Sequence, residues 1–507
     1  MRHSVLCAVC LAALPLACNA IAANEPVRLD NGLLQGIPGA NPEITVYKGV
    51  PYAAPPVGDL RWRAPKGPAK WDGVRKADQF SATCMQTNYP EGSPYRQPPA
   101  AVSEDCLYLN VWTGAKSAKE HRPVMVWIHG GALTRGAGSL PTYDGEALAK
   151  KGVVLVTINY RLGIFGFFAH PELTKESDRN SSGEYGILDQ IQALEWVHKN
   201  IEAFGGDPKR VTIFGESAGS WSINTLVATP LAKGLFQRAI GESGAFFAPL
   251  PKLAEAEKAG ERIAKQQNAA SIADLRAKPA ADLLKVNGDL ARANVDGWML
   301  PDQVYAIFAA GKQNDVPTLI GSNADEGTAF TSASVKADGF KNLAKTRFGD
   351  QADAYLKLYP ASSDEEAHAS AAASMRDQTF GWEMRTWARM QTKTGKSKVY
   401  VYYFSRVPPG PVGAKLGAYH ASEIAYAFDN MKSAQDADQK LSDTMSSYWA
   451  NFATSGDPNG KNVPKWPAYN TKTDFAMGLG DRIAPTEVPH KGALDFLDAW
   501  FAKQRSN

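Results

Sequence analysis

The chain has 507 residues, 44% of them hydrophobic and 21% charged, with a formal net charge of +3. That balance supplies a sizeable apolar core, and the lack of any Lys or Arg run excludes a protein built to hold nucleic acid. No Cys or His spacing matches a metal site and no cofactor is expected, so any chemistry falls to ordinary side chains.

The first residues read as an export signal. Arg2-His3 precede an apolar run over residues 5–16, and Ala20-Ile21-Ala22-Ala23 follow with the small residues of a cleavage site after Ala22 or Ala23. The run is too short to span a bilayer. Leu16-Ala17-Cys18 hints at a lipoprotein signal, but Pro15 stands where an aliphatic residue belongs. The expected arrangement is a cleaved signal over residues 1–22 and one domain over 23–507, in a secreted or periplasmic protein without stable membrane insertion. Cys7, Cys10 and Cys18 go with the signal. The remaining two, Cys84 and Cys106, are expected to pair in an oxidising compartment.

In chain order, residues 27–29 and 44–47 flank Gly/Pro/Asn-rich turns and read as antiparallel edge strands. Residues 85–105, rich in Pro, Tyr and Gln, read as a surface loop closed at its neck by the two cysteines. Residues 107–112, 123–128 and 153–161 read as strands, the second continuous and apolar as a strand buried on both faces should be. Ile187, Ile191, Leu194, Val197 and Ile201 recur at helical spacing over residues 187–204. A short strand, 211–214, follows, and 239–244 reads as a further strand end. Residues 253–290 read as helical, 316–321 as a buried strand, 334–396 as helices, 398–404 as a strand and 493–504 as a closing helix. Strands alternating with helices give an α/β architecture with a mostly parallel sheet and helical insertions.

The chemistry starts at Gly215-Glu216-Ser217-Ala218-Gly219, between the strand at 211–214 and an apolar stretch able to run on as a helix. A sharp strand-to-helix turn exposes the serine hydroxyl, and its flanking glycines avoid clashes in so tight a bend. A serine hydroxyl needs a base within hydrogen-bond reach. After Ser217 the histidines are His368, in a charged helical stretch, His490, in a charged tail, and His420, in a loop beyond the strand ending at Phe404. His420 is the expected base. The acid that orients it belongs past the strand at 316–321, where Asp325 and Glu326 are rivals on spacing. Backbone donors for an oxyanion are expected from Ala218 and from His129-Gly130-Gly131-Ala132, a glycine-rich loop after an apolar strand.

Several of these stretches, with others, make the chain resemble the type-B carboxylesterase family, the cholinesterase-like branch of the α/β-hydrolases. The matching motifs include Gly49-Val50-Pro51-Tyr52-Ala53, Glu104-Asp105-Cys106-Leu107-Tyr108-Leu109-Asn110, His129-Gly130-Gly131, Asn159-Tyr160-Arg161, Phe204-Gly205-Gly206-Asp207-Pro208, Phe214-Gly215-Glu216-Ser217-Ala218-Gly219 and Asp325-Glu326-Gly327. The resemblance implies an α/β-hydrolase fold and a Ser217–Glu326–His420 triad, choosing Glu326 over Asp325. It also implies an oxyanion hole from Gly131, Ala132 and Ala218, and the Cys84–Cys106 disulfide. Three features depart from it, the first being Ala132 in place of a frequent third glycine, which keeps the N–H. Glu184 stands where the family often has Asn, and the loop between the cysteines has no Trp to stack a choline cation.

The expected function is therefore a serine carboxylesterase acting on a small-molecule ester through an acyl-enzyme. The alternatives are a specialised feruloyl, tannin, mycotoxin or plasticiser esterase, an amide or carbamate hydrolase, or a non-catalytic neuroligin-like adhesion module. Trp221, Phe246, Phe247, Trp298 and Phe330 lie near the ends of predicted strands and are expected to line an apolar pocket, or else to be ordinary core aromatics. Arg135, three residues past the oxyanion loop, offers a clamp for a substrate carboxylate, or serves as an ordinary surface arginine.

Overall fold

The apolar runs of the sequence become the middle of one eleven-stranded sheet. In the computed structural model, which describes residues 25–506 apart from 99, 287–292 and 432–434, its strands are β1 (Ile37–Pro38), β2 (Thr45–Pro51), β3 (Tyr108–Thr113), β4 (Arg122–Ile128), β5 (Val154–Ile158), β6 (Gly206–Glu216), β7 (Arg238–Glu242), β8 (Thr318–Asn323), β9 (Val399–Phe404), β10 (Phe475–Leu479) and β11 (Ala484–Glu487). The expected signal segment lies outside the described residues. The spatial order is β1-β2-β3-β5-β4-β6-β7-β8-β9-β10-β11. From β5 to β10 every pairing is parallel, and antiparallel strands occupy both edges. Helices cover the parallel strands, so those strands are apolar on both faces and read as continuous runs.

Helix α1 (Tyr185–Asn200) buries its Ile187/Ile191/Leu194/Val197 stripe against the sheet, as its spacing predicts. Helix α2 (Ala218–Ala228) starts directly at the end of β6 and is buried along nearly its whole length. On the far side of the site lie α3 (Ala337–Phe348), α4 (Asp364–Met375), a π-helical turn over Arg376–Gly381, and α5 (Trp382–Thr394). Helix α6 (Asp436–Ser455) underlies the sheet with Leu441, Met445, Tyr448, Trp449 and Phe452, and α7 (Lys491–Ser506) closes the chain.

Some boundaries differ from the sequence reading for local reasons. The helical stretch over 253–290 is broken after Gln266, where Asn268 takes φ +50°, and again at Pro279. The outer strand β11 carries little apolar signal, and Pro485 is tolerated there because the strand lies at the sheet edge. Among the described residues no helix is long and apolar enough to cross a membrane. The Cys84–Cys106 disulfide is formed and closes the 85–105 loop.

Candidate active site

Parallel register brings the candidate residues together. Gly215 on β6 pairs with Ile128 on β4, so the segment after β6 and the segment after β4 leave the sheet side by side. At the end of β6, Ser217 takes φ +56°, ψ −122°, a backbone conformation that costs an L-residue about 1–3 kcal/mol. Surrounding structure over-determines it. The Ser217 N–H donates to Glu242 O on β7 at 2.8 Å, and a Cβ on either Gly215 or Gly219 would run into Ile128 O. The flanking glycines thus serve close packing of elbow against strand, as the motif requires. The side chain sits at the start of α2, where unpaired helix N–H groups favour developing negative charge.

The acid and the histidine meet across two neighbouring strands. Glu326 follows β8, and its Oε2 lies 2.5 Å from His420 Nδ1, with the imidazole on the loop after β9. Its other oxygen accepts from the Ser243 hydroxyl at 2.5 Å and from the Asn323 N–H at 2.8 Å. Asp325 faces away. Its Oδ2 accepts from the Ala418 N–H at 2.8 Å and its own N–H donates to Ala418 O, so it fixes the loop that carries His420. Gly327 completes the motif because a Cβ there would collide with the Ala372 carbonyl of α4. Ser243, at φ +58° and buried, was not singled out from sequence. Its signal is the stretch Gly241-Glu242-Ser243-Gly244, an echo of the elbow on the adjacent strand.

The glycine-rich loop lies against the elbow, since a Cβ on Gly130 would stand 3.1 Å from Ser217 Cβ. Gly131, Ala132 and Leu133 all have positive φ (109°, 55° and 58°), which turns their N–H groups away from β-ladder partners. The N–H groups of Gly131 and Ala132 find no acceptor among the described residues. Neighbouring elements hold this strained loop in place. Tyr160 OH donates to His129 O at 2.8 Å, Gly138 N–H to Asn159 Oδ1 at 2.8 Å, and Gly136 N–H to Gln86 Oε1 at 2.8 Å. The Asn159-Tyr160-Arg161 motif is therefore a buttress, with Arg161 anchored bidentately on buried Asp189. His129 is fully buried, stacked on Tyr160, and burial lowers it to about 4, so its imidazole is neutral.

Buried carboxyls surround this centre. Glu216 Oε1 approaches His420 Nε2 to 3.0 Å without an aligned hydrogen bond, and Ser217 Oγ makes none among the described residues. Burial first, then the charges of Glu326 and Glu242, hold the Glu216 carboxyl well above the usual range. Burial raises Glu242 to about 8 even though Trp449 Nε1 donates to it at 2.8 Å, and burial with the neighbouring carboxyl charges pushes Glu423 well above the usual range.

Aromatic rings form the walls. Trp221 stacks on Phe246 at 5.2 Å, and both line a cavity of about 700 Å³ that extends among Phe340, Leu343 and Met375 of α3 and α4. Phe330 lies 5.0 Å from the His420 ring and is 44% exposed. Phe247 and Trp298 are not brought to that wall. Phe247 is buried against Phe308, and Trp298 lies under Arg179. Phe247 is a core aromatic and Trp298 belongs to the 293–300 segment. Three rings missed from sequence are close by. Phe380, in the π-helical turn, lies 4.6 Å from His420. Tyr95, from the disulfide-closed loop, donates to His420 O at 3.1 Å, and Tyr89 lies tilted beside Tyr95 at 5.6 Å. Arg135 reaches from the glycine-rich loop to that same disulfide loop, over the Tyr89 ring at 5.1 Å. Glu184 sits buried at the start of α1 and accepts from the Asn294 N–H, tying the 293–300 segment to that helix.

A strand-borne serine at a strained turn, a carboxylate–histidine pair on the next strand ends, and a donor loop beside them define an α/β-hydrolase. The chain belongs to the Carboxylesterase family, whose sequence model matches residues 23–496. Fumonisin B1 esterase of Sphingopyxis macrogoltabida is 37% identical over 486 residues, covering 90% of this chain and 86% of that protein. Para-nitrobenzyl esterase of Bacillus subtilis (strain 168) is 38% identical over 474 residues, covering 87% and 92%. Cocaine esterase of Homo sapiens is 34% identical over 487 residues, covering 88% and 85%. The protein is a carboxylic ester hydrolase.

Proposed function

We propose that the protein is a secreted or periplasmic serine carboxylesterase working through an acyl-enzyme on Ser217. The observation that carries this reading is the Glu326–His420 contact at 2.5 Å on strand ends adjoining the Ser217 elbow. His420 Nε2 turns from the Glu216 side onto Ser217 Oγ as substrate enters, and takes its proton while Oγ bonds to the ester carbonyl carbon. The carbonyl oxygen becomes an oxyanion held by the N–H groups of Gly131, Ala132 and Ala218. His420 then protonates the leaving alcohol as the C–O bond breaks. Water, losing a proton to His420, attacks the acyl-enzyme and returns the serine. Glu326 holds the imidazole in the Nδ1–H tautomer and stabilises the imidazolium formed in each half-reaction.

Export is supported by the signal-like N-terminus together with the disulfide, which persists in oxidising compartments. The named relatives act on chemically different esters, which supports the ester bond rather than one alcohol as the shared target.

The acyl-enzyme is tested by competition between water and methanol. Esters sharing one acyl group but differing in alcohol should give the same ratio of methyl ester to free acid, because a common intermediate is partitioned. Ratios that change with the alcohol contradict it.

A further inference from the structure

Arg135 is built into the floor of the oxyanion loop. Its N–H donates to Gly131 O at 3.0 Å, and a Cβ on Gly131 would run into its carbonyl. Its side chain is partly buried and crosses to the disulfide-closed loop, where Nε donates to Thr87 O at 3.1 Å and Nη2 to Thr87 Oγ1 at 3.4 Å. Nη1 donates to Thr134 Oγ1 at 3.3 Å. Those three neutral acceptors leave one N–H on each Nη without a partner, and among the described residues no carboxylate pairs with the guanidinium. A surface arginine serving stability alone is free to find an acid. This one is held over Tyr89 beside a site that offers it none.

The charge balance around it points the same way. Tyr89 lies within the field of both Arg135 and Glu216. Burial pushes the Glu216 carboxyl up, and among the described residues it pairs with His420 rather than with the guanidinium. Arg135 thus sets a guanidinium beside the oxyanion loop with no carboxylate paired to it among the described residues and two N–H groups left to donate.

We propose that Arg135 is a specificity residue that selects esters bearing a second, free carboxylate. The inference rests on Ser217 being the nucleophile, since that places the scissile carbonyl against the loop that carries Arg135. The carboxylate belongs to either the acyl or the alcohol part, and the two are separable by experiment.

Hydrolysis is followed by titrating released acid. On the acyl side, monoethyl succinate is compared with ethyl butyrate. On the alcohol side, the butyrate ester of 3-hydroxypropanoic acid is compared with propyl butyrate. The charged-to-neutral ratio of kcat/KM should fall about ten- to a hundred-fold in Arg135→Ala, on one side, and recover in part in Arg135→Lys. The affected pair tells which part of the substrate carries the anion. An unchanged ratio in both pairs overturns the proposal, as does an equal loss on charged and neutral esters, which marks Arg135 as a strut between two loops. Ser217→Ala serves as the separate control. If it keeps turnover of the neutral esters, the nucleophile is wrong, whatever Arg135 does.

Discussion

Neutral His129 at the core of the donor loop makes a definite prediction about acid stability. Burial lowers its imidazole from the ordinary 6.5 to about 4. Between those values the unfolded chain binds a proton that the folded chain refuses, so stability is full above pH 6.5 and is lost as pH falls through the window. At pH 4.5 the linkage amounts to about 2.5 kcal/mol of lost stability from this one group. The perturbation is His129→Gln, which removes the titration. The variant loses the ring stack on Tyr160 and is less stable at neutral pH. The informative quantity is therefore the difference between wild type and variant, in which all other titrating groups cancel. Urea unfolding at pH 7.5 and 4.5 should show that difference shrinking by about 2.5 kcal/mol on acidification. A difference that stays constant, or grows in acid, refutes a neutral buried imidazole at this position.

Glu242 has the opposite sign. Its folded value is raised, so the folded state holds a proton that the unfolded state releases, and stability falls as pH rises from about 4.5 to about 8. Glu242→Gln retains an acceptor for Trp449 and should flatten that alkaline decline, read as Tm against pH. Asp325→Ala should lower kcat by about ten- to a hundred-fold by loosening the 417–419 loop, while Glu326→Gln, which disturbs the imidazole directly, costs on the order of 10³–10⁴. Equal losses contradict the separate roles of the two neighbours. Replacing Cys84 and Cys106 by Ser should cost about 3 kcal/mol in urea unfolding and raise KM by freeing Tyr89 and Tyr95, whereas an unchanged unfolding midpoint would show the loop to be held by other contacts.

The legible part of this protein is the part governed by local rules. Glycine placement around Ser217 encodes a turn, and β-branched runs encode buried strands, so the elbow, the donor loop and the parallel core follow from short windows. Asp325 and Glu326 mark the limit of such windows. Adjacent carboxylates are indistinguishable by spacing, and only the Ala418 and His420 contacts separate their work. Tyr95 and Phe380 were illegible because their proximity to His420 depends on a disulfide-closed loop folding back and on a π-helical turn, neither of which has a periodic signature. Phe247 and Trp298 show the converse, since being near a strand end in sequence does not say which side a ring faces. Helix α6 was legible in its Leu441/Met445/Tyr448/Phe452 spacing but was not read. Glu184 needed the structure, because its partner Asn294 is far along the chain.

Covalent labelling tests Ser217 as the nucleophile most directly. The enzyme is titrated with a fluorophosphonate ester until activity is lost, then digested and mapped by mass spectrometry. One equivalent of adduct on Ser217, absent from Ser217→Ala, is the predicted result. An adduct on Ser243, the serine of the echoing Gly-Glu-Ser-Gly stretch, or complete inactivation with Ser217 unmodified, would contradict it.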